Sequence, residues 1–208
     1  MNPFIEQYNK HFTSPPKNIL EIGSRDGDDA DLLKHHFNIP DDKVFIVEPH
    51  PHCIDHIKEK YPNYKIYEYA ISLENGVSKF NAIFTSNLGV LGMSSLLDRT
   101  HHNGYENWID VNTITGKDLC DMIGEDEYDL VKIDVEGYSY EALKSFGDSI
   151  RKIKMMHVEV EHYKFWKNQK LYKDIVDLLT PLGFEECYRF DYAYTPEQIQ
   201  SDIIWKRI

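Results

Sequence analysis

The stretch Asn18–Gly27, N-I-L-E-I-G-S-R-D-G, decides the fold. Ile19, Leu20 and Ile22 form a short apolar run that predicts a buried strand. Gly23 and Gly27 bound a loop that opens into an acidic helix start at Asp28 and Asp29. Strand, glycine turn and helix make the opening unit of a nucleotide-type α/β fold. Gly23 supplies the sharp turn and, without a Cβ, lets a ligand lie against the main chain. Gly27 is expected to let the next helix pack closely on the strand. A dinucleotide loop reads G-x-G-x-x-G and needs its middle glycine for approach of the pyrophosphate. Here the spacing is G-x-x-x-G, and Glu21, Asp26, Asp28 and Asp29 crowd the place a diphosphate would take. Carboxylates repel a diphosphate and suit a sulfonium and an ammonium. The loop therefore favours S-adenosylmethionine over NAD.

Working outward, K-V-F-I-V (43–47) predicts a second buried strand ending in Glu48-Pro49. An acid at that strand end, about 25 residues beyond Gly23, faces the ribose of a nucleotide in a doubly wound sheet. K-I-Y-E-Y-A (65–70) predicts a third strand whose end lies beside the adenine. D-L-V-K-I-D-V-E-G (129–137) builds a central strand from Leu130, Val131 and Ile133, with Asp134 and Glu136 at its C-terminal edge. The ligand crevice of an open α/β sheet lies beyond that edge. K-M-M-H-V-E-V-E (154–161) is a fifth strand on which His157, Glu159 and Glu161 share one face, with His162 just after it.

Helical faces fall between these strands. They are Ala30, Leu33 and Phe37; Ile54 and Ile57; Ala142, Leu143 and Phe146; and Leu171 to Leu179. Residues 1–17 form an approach segment with Phe4, Ile5, Tyr8 and Phe12 at helical spacing. Residues 76–115 read as an insertion: strands over 76–86 and 109–115, a Gly- and Ser-rich stretch over 87–97 that is either a lid or a connection, and a turn at His101–Gly104. Lys117 to Ile123 makes a short helix stopped by Gly124. Strands over 184–190 and 203–207, joined without a helix by the aromatic and polar loop D-Y-A-Y-T-P-E-Q-I-Q, predict an antiparallel pair at one end of the sheet. The expectation is an α/β chain forming a single domain over residues 1–208.

Composition narrows the function. The 208 residues are 41% hydrophobic and 28% charged, as in a globular protein. A net charge of −12 argues against DNA or RNA as substrate. The start M-N-P-F-I-E-Q-Y has no signal-peptide pattern, and no apolar run nears membrane-spanning length, so a cytoplasmic protein with no membrane partner is expected. Cys53, Cys120 and Cys187 are scattered and odd in number, as free thiols are. Asp134, Glu136, Glu159 and His162 offer oxygen ligands and an imidazole, and His50, His52, Cys53 and His56 form a second cluster. No spacing forces a metal at either, and none is assigned.

The pieces E-I-G-S-R-D-G, V-E-P-H-P, Y-A-I-S, S-S-L-L, D-L-V-K-I-D-V-E-G and D-I-I-W-K-R occur in an order that resembles the FkbM-family methyltransferases, within the class I S-adenosylmethionine-dependent enzymes. The resemblance implies a Rossmann-like, seven-stranded, mostly parallel sheet with helices on both faces and a C-terminal antiparallel hairpin. It implies methyl transfer to a hydroxyl, often of a sugar or another small natural product. By position it implies that Glu21, Gly23, Ser24, Arg25, Asp26 and Gly27 contact the methionine part of the cofactor, that Glu48, followed by Pro49, holds the ribose, that Tyr69 and Ala70 border the adenine, and that Asp134 lies beside the methyl group. Ser139 stands where that family often has an acid, and Ser145 where it often has a glycine.

An aliphatic hydroxyl needs a base as it attacks. Asp134 is the first candidate, followed by Glu159 and His162 as strand-end groups. The plain alternatives are that Glu159 pairs with Lys132 and that His162 caps or packs. The 14 tyrosines, with Trp108, Trp166 and Trp205, fit an uncharged polyhydroxylated acceptor, small molecule or glycan. Two other functions fit the motifs less well: a non-catalytic cofactor-binding module of a glycan-building assembly, and an NAD-type oxidoreductase.

Overall fold

The computed structural model describes residues 2–85, 91–100, 106–197 and 199–208. Its main sheet is built from strands β1 (Ile19–Ile22), β2 (Val44–Val47), β3 (Lys65–Tyr67), β7 (Tyr128–Ile133), β8 (Ile153–Glu161), β9 (Phe184–Ala193) and β10 (Ile199–Arg207). Their order is β3-β2-β1-β7-β8-β10-β9. The first five run parallel, and β10 is antiparallel to both β8 and β9. Strands β1 and β2 are buried at every position, as apolar runs without alternation require in the middle of a parallel sheet.

The two faces of the sheet carry different cores. On one face, helices α1 (Pro3–His11), α2 (Asp28–Phe37) and α3 (Pro51–Lys60) bring Phe4, Tyr8, Leu33 and Ile57 against Ile19, Ile46, Leu130 and Met155. On the other, α4 (Gly116–Ile123), α5 (Ser139–Ser145) and α6 (Tyr172–Leu179) bring Leu119, Leu143, Ile175 and Leu179 against Leu20, Val131, Met156 and Trp205. Neighbouring strand residues point to opposite faces, so each strand feeds both cores. Helices α1 to α3 cover only part of their face; the end carrying His157, Glu159 and Asp202 borders a large cleft.

Three departures from the sequence reading follow from local bonding. The third strand ends at Tyr67, where Tyr69 N donates to Tyr67 O at 3.0 Å and turns the chain. Ala70–Ile71 becomes β4 and pairs parallel with β6 (Glu106–Ile114), which also pairs antiparallel with β5 (Gly76–Ile83), giving a second sheet in the order β4-β6-β5. The C-terminal hairpin is longer than predicted, because Asp191, Tyr192 and Ala193 pair with Ser201, Gln200 and Ile199. Its register also slips: Tyr188 faces Ile204 but Glu186 faces Trp205, leaving Cys187 as a bulge.

Of the segment 87–97, Asn87 to Val90 lie outside the described residues, as does the turn expected at His101–Gly104. Leu91 to Leu97 are tied down by two serines. Ser94 Oγ accepts from Ile83 N at 3.0 Å and donates to Leu91 O at 2.7 Å, and Ser95 Oγ donates to Glu136 O at 2.7 Å. Among the described residues no helix is long and apolar enough to cross a membrane.

Candidate active site

The ends of β1, β2 and β7 meet at Gly23. Gly23 N donates to Val47 O at 2.9 Å, and Asp134 N donates to Ile22 O at 3.0 Å. Gly23 has φ +76°, and a Cβ there would overlap the carbonyl of Asp134. The loop and the Asp134 segment thus touch back to back, which only glycine permits. Gly27, at φ +79°, yields its space to the ring of Tyr61 just past α3, rather than to packing of α2 on β1 as expected.

Beside this junction lies a cavity that, with the solvent space at its mouth, encloses about 510 Å³. Gly23, Arg25, Glu48, Pro49, Tyr69 and Ala70 line it, with Asp134 at one side and Phe80, Leu91 and Leu96 as an apolar wall. Glu48 is buried, and each of its oxygens already accepts one backbone N–H, from Arg25 at 2.9 Å and from His50 at 2.8 Å. Burial pushes its carboxyl up to about 7, against the pull of those two bonds. A carboxylate so oriented keeps further lone pairs for two adjacent hydroxyls. The residues therefore fit a nucleoside with a free diol.

The four acids expected to crowd the loop are instead neutralised one by one. Asp26 is held by the guanidinium of Arg25 at 2.6 Å, Asp28 by Lys60 at 2.6 Å, and Asp29 by Lys132. Glu21 lies beneath the loop, accepting from Ala30 N at 3.1 Å in the first turn of α2, with Lys132 Nζ at 3.8 Å. Buried there, its carboxyl is pushed up to about 8. The preference for a cationic ligand cannot come from four bare carboxylates, because Asp26 and Asp28 each pair with a cation while Asp29 and Glu21 share Lys132. Glu21, Asp26 and Gly27 line neither this cavity nor its neighbour, and Ser24 lines the neighbour only.

The neighbour is an open cleft of about 1940 Å³, reached past Gly23, Arg25 and Asp134, which border both spaces. Asp134, Glu136 and Glu159 each place a carboxylate oxygen within 4.8 Å of the others, a set that could grip a divalent cation. Burial, then repulsion by Asp134 and by Glu161, raises Glu136 well above the usual carboxylate range. Burial, with Asp134 and Glu136 next, does the same for Glu159. Glu161 is pushed up to about 8 by burial and by Asp134. Crowded carboxylates cannot all ionise together, so some hold protons that others can take. Glu136 sits at φ +51°, a conformation costly for a residue with a Cβ. Lys132 Nζ pairs with Asp134 at 3.3 Å. Glu159 borders the cleft rather than pairing with Lys132, whose nearest acids are Asp29, Asp134 and Glu21.

His162 stands apart from these groups. Its Nε2 shares a 2.7 Å hydrogen bond with Ser201 Oγ, its ring packs on Tyr172 at 4.9 Å, and it lines neither cavity. In the histidine cluster at the start of α3, the rings of His50 and His52 meet with centroids 5.7 Å apart. His50 is buried, with Nε2 donating to Ile83 O at 3.0 Å while Nδ1 accepts from His52 N, which makes it the N-cap of α3. The serines that depart from the resembled pattern are structural ties. Ser139 Oγ donates to Glu159 O at 2.8 Å, and Ser145 Oγ accepts from Gly116 N at 2.8 Å.

Several cleft groups are not among the site candidates of the sequence reading, although it places His157 on the face of Glu159. His157 Nε2 pairs with Asp202 Oδ1 at 3.0 Å, and Tyr192 OH donates to Asp202 Oδ2 at 3.0 Å. Phe190, Tyr192 and Tyr194 line the same space. The alternation Y-R-F-D-Y-A-Y over 188–194 was the available signal, placing aromatic residues at every second position.

A sequence profile described as the methyltransferase FkbM domain matches residues 21–187. The 2-O-methyltransferase NoeI of Sinorhizobium fredii (strain NBRC 101917 / NGR234) is 25% identical over 203 residues, 91% of this chain and 79% of its own. Among solved structures, magnesium protoporphyrin IX methyltransferase (ChlM) from Synechocystis PCC 6803 with bound SAM superposes with a TM-score of 0.54 at 11% identity, over 98% of this chain and 76% of its own. Methyltransferase FkbM from Methylobacillus flagellatus KT gives 0.52 at 12% identity, over 92% of this chain and 44% of its own. At such identities the structures speak for a shared fold. The profile covers the glycine loop, both acidic strand ends and the bulged hairpin strand up to Cys187, and the chain belongs to the FkbM methyltransferase family.

Proposed function

We propose that this methyltransferase moves the methyl group of S-adenosylmethionine to a hydroxyl of a sugar or similar polyhydroxylated acceptor. The observation that carries the reading is the position of Asp134 on the shared border of the cavity beside Glu48 and the open cleft. A group placed there meets donor and acceptor at once.

When bound, S-adenosylmethionine supplies a methyl carbon made electrophilic by its sulfonium. Glu48 receives the ribose hydroxyls, Tyr69 and Ala70 flank the adenine, and Gly23, Ser24 and Arg25 receive the methionine end, with Asp26 and Gly27 set back from both spaces. Glu21 supports that loop from below through α2. The chain's main task is alignment, because displacement at carbon requires acceptor oxygen, methyl and sulfur in line. Asp134 would take the proton of the acceptor hydroxyl as that oxygen attacks the methyl group. Glu159, which lines the same cleft, is the next acceptor for that proton when its carboxyl is ionised. His162 acts at a distance, through Ser201, on the position of β10.

The test is transfer of labelled methyl to a panel of glycans, peptides and RNA, comparing wild type with Asp134→Asn. Labelled glycans, with loss of label in the variant, support the reading. Labelling confined to the polymers, or an unaffected variant, overturns it.

A further inference from the structure

Past the bulge at Cys187, β9 points Tyr188, Phe190 and Tyr192 into the cleft, and Tyr194 follows. Phe190 is 48% exposed, Tyr192 45% and Tyr194 65%, so these rings are not core. An exposed aromatic surface lining a cleft marks a place of binding. The rings are held in place. Phe190 and Tyr192 meet edge-on with centroids 4.6 Å apart, Tyr194 packs on Phe165 at 5.9 Å, and Tyr194 OH donates to Gln200 at 2.7 Å. From Tyr188 to Tyr194 the row extends roughly 20 Å at the rise of a strand.

Sheet register places this row relative to the acids. Phe190 pairs with Asp202, which pairs with Glu159, so β10 separates the rings from the acidic strand β8. Two strand spacings put the rings about 10 Å from the β8 acids, and β7, which leads to Asp134, is one strand further. A single pyranose seated at Asp134 cannot also touch the aromatic row.

The chemistry of the surface selects the ligand. Flat apolar faces suit the CH faces of sugar rings, and the polar rim of Asp202, Gln200 and Glu159 suits hydroxyl donors. Arg25, Lys132 and His157 are engaged by Asp26, by Asp29 and Asp134, and by Asp202, so among the described lining residues every basic side chain already has an acidic partner, which disfavours anionic acceptors. We infer that the acceptor is an uncharged oligosaccharide, with the sugar to be methylated at Asp134 and the following units stacked along Phe190, Tyr192 and Tyr194. The inference rests on the methyl-transfer reading above and extends it to acceptor length.

The experiment is binding of the full chain, loaded with S-adenosylhomocysteine, to an immobilised panel of neutral and anionic mono- and oligosaccharides, with peptides and neutral lipid vesicles as further probes. Wild type is expected to retain neutral oligosaccharides over their monosaccharides, and Phe190→Ala and Tyr194→Ala to weaken that retention about tenfold or more. Both variants should keep the wild-type affinity for S-adenosylmethionine, a readout that a misfolded protein would not give. In turnover with any labelled acceptor, the ratio of KM between short and long members should collapse in the variants. Equal binding of monosaccharides, variants that match wild type, retention of only peptides or vesicles, or no glycan retained would each overturn the inference. A wild type that binds S-adenosylmethionine and methylates with no length preference sinks the aromatic row alone. Failure to bind S-adenosylmethionine sinks the methyl-transfer reading beneath it.

Discussion

The two spaces that meet at Asp134 are built by opposite means. The cavity beside Glu48 is shaped by main chain at the ends of consecutive strands, namely the turn at Gly23, the N–H groups of Arg25 and His50 that hold Glu48, and the short link from Tyr67 to Ala70, with Phe80, Leu91 and Leu96 closing it on one side. The cleft is made from side chains on β7, β8, β9 and β10, brought together by register across the sheet. The first depends on local backbone geometry and tolerates little change. The second depends on which residues occupy one face of an antiparallel pair, and it can vary while the sheet persists.

That contrast can be broken at specific positions. Asp134→Asn should produce the largest effect, a fall in kcat of about a hundredfold or more, because it removes a proton acceptor while leaving shape nearly intact. Initial-rate measurements with saturating cofactor read this, and a change confined to KM would assign Asp134 to binding alone. Gly23→Ala should cost at least about 2 kcal/mol of stability, since it combines a left-handed backbone with a clash on the Asp134 carbonyl. A denaturant melt within error of wild type would mean that the junction has slack. Glu48→Gln should weaken S-adenosylmethionine binding by roughly 10- to 100-fold, the loss of charge-assisted hydrogen bonds, measured by calorimetry.

The same glutamate gives a pH signature. Its carboxyl is raised from 4.5 to about 7, so below pH 7 the cavity holds a neutral acid, a poorer acceptor for ribose hydroxyls. Affinity should therefore rise as pH climbs through 7, by up to about tenfold per unit below it, and Glu48→Gln should flatten that dependence. In the cofactor-free protein the sign reverses. A carboxyl whose folded value lies above its unfolded value stabilises the fold less as pH rises from 4.5 to about 7. The smallest effect is expected from His162→Ala, about 1 kcal/mol of stability with kcat within about threefold of wild type, because its partners are Ser201 and Tyr172. A hundredfold loss there would return His162 to the chemistry.

The sequence was legible where information is local. The run from Ile19 to Gly27, the Glu48-Pro49 strand end and the Asp134–Glu136 edge announce strand, turn and crevice within a few residues of each other. The fold followed, including the antiparallel end of the sheet. The fate of the four loop acids was not legible, since their partners Lys60 and Lys132 lie far along the chain. Nor was the division between Ala70 and the third strand, which depends on a pairing with β6 more than forty residues away. The His157–Asp202 pair and the aromatic row depend on register between β8, β10 and β9, and one slipped residue decides that register.

The bulge at Cys187 is that slipped residue, and it turns acceptor choice into a matter of parity. Were β9 to run without that bulge, Cys187 would face Ile204 and every later pair would slip by one, presenting Arg189 and Asp191 to the cleft and turning Phe190 and Tyr192 away. An uncharged aromatic shelf would become a charged one, while Gly23, Glu48 and Asp134, on other strands, kept their places. Within this architecture the extra residue at the bulge decides which side chains the strand shows to the cleft and leaves the cavity at Gly23 and Glu48 unchanged.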